Sequence, residues 1–267
     1  MPSLNKRLKA AIFFVVSGGF VLFLVSTLIV QRRQSLEHLV KVGQKRCAPD
    51  APCREFSYGI YVMNIAAGEL KLGIQESPYQ DREALEAHLS LRPFKFLRAI
   101  SSDGIGVDGV SFFNKENLLP YLFEQTTPYA MRKGKTGKTI EYHHGERWML
   151  RKAKKEDIEE DTRDPVSLIV WLMSRDYENE DLFKSTLNIN RKIYTVVGKV
   201  GERRSLVKDG IETRLMKLKL KILGRDAGYR LRSQLPVEVY LLQRGEVYVP
   251  ILFDIKMGWL HITAALS

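Results

Sequence analysis

The stretch Met216-Lys217-Leu218-Lys219-Leu220-Lys221-Ile222 decides the fold class of this chain. Apolar and basic residues alternate through it without a break. Successive side chains of an extended strand point to opposite faces, so a period of two makes one face apolar and the other lysine. A helix would scatter the same residues around its circumference. The period recurs outward in both directions. Leu70, Leu72 and Ile74 alternate with Glu69, Lys71 and Gly73, and Ala87, Leu89 and Leu91 alternate with Glu86, His88 and Ser90. Val249, Ile251, Phe253 and Ile255 form another set, and Leu260, Ile262, Ala264 and Leu266 a last one. Three further runs, 56–66, 193–200 and 237–243, are β-rich but apolar on both faces. Turn signals fall at Ala67-Gly68, Asp103-Gly104, Asp108-Gly109, Asp209-Gly210 and Arg244-Gly245. The pattern predicts roughly ten to twelve strands with short connections. The expected fold is mainly β: a curved antiparallel sheet or open β-barrel.

One segment breaks the period. Asp164-Pro165-Val166-Ser167-Leu168-Ile169-Val170-Trp171-Leu172-Met173-Ser174-Arg175 carries a helix start. Asp164 caps free N–H groups, and Pro165 suits the first helical position. The run that follows is apolar nearly all round, which predicts a helix buried on more than one side, covering the concave face of the sheet. Asn114–Tyr121 reads as a second short helical turn. Residues 132–161, rich in charge, read as a hairpin with an exposed loop.

The chain has 267 residues, with 42 Lys+Arg against 31 Asp+Glu, a formal charge of +11. More than half of that excess lies before Phe56. Residues 10–30 (AAIFFVVSGGFVLFLVSTLIV) hold no charge, preceded by Lys6, Arg7 and Lys9 and followed by Arg32 and Arg33. As a helix this run spans about 32 Å, close to the hydrocarbon thickness. It reads as an uncleaved single-pass anchor with the chain's remainder outside the cytoplasm. A cleaved signal peptide is the alternative, but Leu28-Ile29-Val30-Gln31 is a poor cleavage site. The expected organisation is therefore a cytoplasmic basic tail (1–9), a transmembrane helix (10–30), a stalk (31–55) and a β-rich domain outside the cytoplasm (56–267). Within the stalk, Leu36, Leu39 and Val40 form a short amphipathic pattern. Cys47 and Cys53, six apart with two prolines between, form a disulfide if the domain is outside the cytoplasm.

Chemistry-bearing motifs are sparse. His143 and His144 are adjacent, so in a strand they point to opposite faces and do not share a metal. No metal, cofactor or catalytic set is expected. Lys217, Lys219 and Lys221 make a basic stripe suited to anionic headgroups or an acidic protein rather than nucleic acid. An enzyme with an unrecognised site would need His143, Asp164 or Arg175 to converge in a cleft.

Several features come in a recognisable order: Tyr58 to Glu69 (YGIYVMNIAAGE), Leu119-Pro120 before Tyr121-Leu122-Phe123, Arg163 to Ser167 opening an apolar helix, Val249-Pro250-Ile251, and Gly258-Trp259-Leu260. In these the chain resembles a bacterial envelope family known as domain of unknown function 3108, over most of residues 56–267. The resemblance implies a periplasmic β-rich domain, similar to the half-barrel of lipoprotein carriers, and supplies no activity. Members usually carry a cleaved signal, from which the long apolar run departs. The function expected is non-enzymatic. An inner-membrane-anchored protein would bind a lipid or an envelope partner in a cavity lined by Leu168, Trp171, Leu172 and Trp259. The alternatives are a structural subunit of an envelope complex, or an enzyme.

Overall fold

The alternation carries directly into one sheet of fifteen strands, in a computed structural model that describes residues 39, 40, 42, 55–94, 106–128, 135–189, 192–208, 211–225 and 231–267. The strands are β1 (Glu55–Val62), β2 (Ile65–Glu76), β3 (Ala84–Pro93), β4 (Val107–Asn114), β5 (Pro120–Pro128), β6 (Lys135–His143), β7 (Trp148–Arg151), β8 (Lys154–Asp157) and β9 (Thr162–Arg163). After the helix α1 (Pro165–Ser174) come β10 (Leu182–Ile189), β11 (Lys192–Lys208), β12 (Ile211–Arg225), β13 (Leu231–Arg244), β14 (Val247–Met257) and β15 (Leu260–Leu266).

Almost every strand pairs with its neighbour in sequence, antiparallel, and β1 pairs with β15 to join the two halves. The edges of the sheet are β8 and β9, which are consecutive in the chain. The sheet curls until these edges approach each other, yet no ladder closes it. Side chains bridge the gap instead. Asn188 Nδ2 of β10 donates to Tyr142 Oη of β6 at 3.2 Å, and Thr186 Oγ1 donates to Glu159 at 2.9 Å.

The pairing register shows why the apolar face turns inward. Tyr58 faces Leu266, Ile60 faces Ala264, and Val62 faces Ile262 across β1 and β15. The second of these rows continues through Phe253, Val239, Leu218 and Val200. Met216, Leu218 and Leu220 are buried, while Lys219 and Lys221 are exposed. Each such leucine contributes about 1.5–3 kcal/mol of burial.

The helix forms as its sequence predicts. Asp164 Oδ1 accepts from Val166 N at 2.7 Å and Ser167 N at 3.0 Å, Ser167 Oγ accepts from Asp164 N, and Pro165 opens the first turn. Val166, Leu168, Val170, Leu172 and Met173 are all buried. The helix contacts β3, β4, β9, β10 and β14, which lie in both halves of the sheet, so it sits inside the curl.

Several sequence expectations are corrected. Ala67-Gly68 is not a turn but part of β2. The reversal falls at Met63-Asn64, both with positive φ (52° and 65°), a two-residue hairpin for which asparagine is suited. Asp108-Gly109 lies within β4, where Asp108 is held by Arg92 (3.0 Å) and Ser90 (2.9 Å) across the ladder. Asn114–Tyr121 is a tight turn into β5 and not a helix; Asn114 Oδ1 accepts from Glu116 N and Asn117 N. Residues 132–161 yield the strands β6, β7 and β8, which is part of why the strand count exceeds expectation. Leu39 and Val40, placed by sequence in the stalk, are buried in the core of the β domain.

Candidate functional site

The helix packs toward one end of the concave face, the closed end; at the opposite, open end the described apolar side chains are only half-buried. Its N-terminus is fixed near the middle of β4, where Ser111 Oγ donates to Asp164 Oδ2 at 2.7 Å. Its C-terminus points toward the start of β14. There Tyr177 Oη donates to Leu172 O at 2.7 Å, and the Tyr177 ring meets Tyr248 edge-on at 5.1 Å. Leu168 and Leu172 are buried among Leu187, Val196, Leu218, Val239 and Leu241. These two residues are thus buried within an apolar cluster shared by the helix and the sheet. Trp171 is half-buried, with the guanidinium groups of Arg163 and Arg175 each 4.7 Å from its ring centroid, and Phe183 edge-on at 5.5 Å. Arg163 is held by the Leu118 and Asn117 carbonyls, and burial lowers its pKa to about 10.

The other end is different. Along β1, Tyr58 is buried, while Ile60 and Val62 are only half-buried. On the same face, Ile255, Leu260, Ile262 and Phe253 are also half-buried. At this end of the sheet the exposures rise: Met63 45%, Ile65 46%, Phe94 44%, Met257 40% and Trp259 82%. Register places all five at one end of the sheet. Val62 pairs with Ile65, Met63 N donates to His261 O, Met257 pairs with Leu260, and Phe94 N donates to Ala67 O. Trp259 is thus not beside the helix, as the sequence reading had it. It sits at the tip of the β14–β15 turn, after Gly258 at φ +59°. Met63, Ile65, Phe94 and Met257 escape sequence reasoning, because periodicity reports a side chain's face and not whether anything covers it.

Lys217, Lys219 and Lys221 lie on the outer face. Lys217 Nζ is 2.8 Å from Glu238 and 5.3 Å from the Tyr240 centroid, so part of the stripe is neutralised. A cleft of about 460 Å³ at the closed end is lined by Tyr177, Arg203, Arg204, Arg214, Met216 and Tyr248. Each of its arginines has a carboxylate partner: Asp181, Glu202 and Glu178 respectively. His143 stacks on Trp148 at 3.7 Å, and Asp164 and Arg175 flank opposite ends of α1, about 16 Å apart by helical rise. The three candidate catalytic residues are not brought together. Among the described residues, no cluster of His, Cys, Asp or Glu could hold a metal.

His144 sits at the seam, its Nδ1 3.0 Å from Glu160 O and its Nε2 3.0 Å from Pro120 O. Burial lowers its pKa, against the pull of the two carbonyls. A folded pKa below the unfolded value near 6.5 means that the folded state binds fewer protons. Its contribution is complete above about pH 6.5 and declines as the pH falls below that. Thermal melts from pH 7.5 to 5 are expected to show a larger loss for the wild type than for His144→Gln. Equal losses would exclude this role.

Residues 1–38 lie outside the described residues, and so do Cys47 and Cys53; the anchor and the disulfide are therefore not described. Among the described residues no helix is long and apolar enough to cross a membrane. No family model, curated protein or solved structure matches the chain.

Proposed function

We propose that this is a non-enzymatic, membrane-anchored envelope protein whose curled sheet holds an apolar ligand, an acyl chain or similar lipid segment, at the open end of its trough. The observation that carries this reading is the graded exposure along one face, from buried Tyr58 through half-buried Ile60 and Val62 to Ile65. Ordinary cores do not end in a row of uncovered β-branched and aromatic side chains, whereas ligand sites are concave and mainly apolar. The uncharged run at residues 10–30, with basic residues before it, supports the anchor and a periplasmic placement at the inner membrane. The resemblance to domain of unknown function 3108 points the same way.

Native mass spectrometry of the full chain extracted in mild detergent tests this. Retained lipid is the expected result, reduced in Ile262→Trp, which would fill the trough at a half-buried position. A protein that carries no lipid, or equal lipid in both forms, would refute the ligand.

A further inference from the structure

Five of the seven large apolar side chains exposed among the described residues belong to the lip of the trough. They come from three places, the β1–β2 turn, the end of β3 and the β14–β15 turn, on strands that are consecutive across β3, β2, β1, β15 and β14. Leu182 and Val247, the other two, begin strands at the closed end. Neither the Met63-Asn64 turn nor the Gly258-Trp259 turn carries an acidic residue, and Lys256 flanks the second with its side chain 60% exposed. Tryptophan at a protruding tip, methionine beside it and lysine behind it is the composition that favours a membrane–water interface.

The chain's own connectivity supplies the second argument. The apolar run ends at Val30, and Leu39 is already buried in the domain core. Eight residues separate them. Fully extended, they reach about 28 Å. Strand β1 alone, with eight residues, is about 26 Å long. A tether about as long as one eight-residue strand holds the domain beside the bilayer, with one of its faces within reach of the lipid.

We propose that the lip formed by Met63, Ile65, Phe94, Met257 and Trp259 is that face, and that it docks on the bilayer surface with Trp259 inserted among the upper acyl carbons. This rests on the anchor reading above and deepens it: the open end of the trough then faces the lipid from which a chain would enter. Docking of this kind is driven by apolar burial, so it persists at high salt, unlike attraction through the outer lysine stripe.

The test uses the full chain reconstituted into phosphatidylcholine vesicles whose lipids are brominated at the upper acyl carbons. Bromine quenches only a nearby indole. Trp148 lies at the seam and Trp171 inside the closed end, so the difference between wild type and Trp259→Phe isolates Trp259. The expected result is quenching in the wild type that disappears in Trp259→Phe and in Met63→Lys/Met257→Lys, and that is unchanged in 1 M salt. A chain that floats with the vesicles but is quenched equally in wild type and Trp259→Phe overturns the docking and leaves the anchor standing. Quenching absent, with cross-linked dimers through the lip, overturns it in favour of a second copy. A chain that does not float with vesicles contradicts anchor and docking together.

Discussion

Gly198→Ala is expected to destabilise this domain strongly. A Cβ at position 198 would lie 2.0, 2.2 and 2.5 Å from atoms of the Phe183 ring. That ring cannot step aside. It is buried on the partner strand β10, edge-on to Trp171 at 5.5 Å, tilted against Tyr177 at 5.9 Å, and covered by the Arg175 guanidinium at 4.8 Å. Overpacking of this severity costs about 3 kcal/mol. For a domain of this size, the melting temperature should drop by about 6–12 °C. Thermal denaturation followed by circular dichroism measures it. The double variant Phe183→Leu/Gly198→Ala should recover part of the loss, because the two sites share one volume. A change below about 0.5 kcal/mol in Gly198→Ala would mean that Phe183 does not occupy that space.

Asp164→Ala should cost a comparable amount for a different reason. The carboxylate serves both the helix cap and the sheet. Removing it frees two helical N–H groups and strands the buried Ser111 hydroxyl. The cap contributes about 1 kcal/mol and the orphaned hydroxyl about 1–3, so a loss of about 2–4 kcal/mol is expected. Asp164→Asn keeps an acceptor for the helix and should lose less. Its pH dependence gives a second check. Burial raises the Asp164 pKa, opposed by its hydrogen bonds, so the folded state holds its proton more tightly than the unfolded chain. The stability this contributes is complete below the ordinary carboxylate value near 3.9 and is lost as the pH rises through the folded pKa. The advantage of wild type over Asp164→Asn should therefore widen as the pH is lowered toward 4. A pH-independent gap would contradict the buried, proton-retaining carboxylate.

The fold was largely legible because both of its periods are local. The Met216–Ile222 alternation requires a strand with one buried face, and Asp164-Pro165 requires a helix start, whatever lies around them. The failures have a common origin. Asp108-Gly109 reads as a turn only if Asp108 has no better partner, and Arg92, from the neighbouring strand, provides one. Leu39 and Val40 read as stalk because nothing nearby in sequence shows that the core has room for them. Trp259 reads as lining by its apolar character alone, but a turn at Gly258 lifts it out of the sheet. The candidate site was least legible of all. Its open lip is defined by what does not pack against it, and that depends on where α1 starts, a tertiary fact set by the Ser111–Asp164 contact.

The central claim is that the open end of the curled sheet holds an acyl chain. The most direct measurement is titration of the detergent-solubilised full chain with a fluorescent fatty-acid probe, in wild type, in Ile262→Trp and in Lys219→Glu. Saturable binding that is abolished by the trough substitution and unaffected by the outer-face one is the predicted result. No saturable binding in the wild type, or equal binding in Ile262→Trp, would contradict the account.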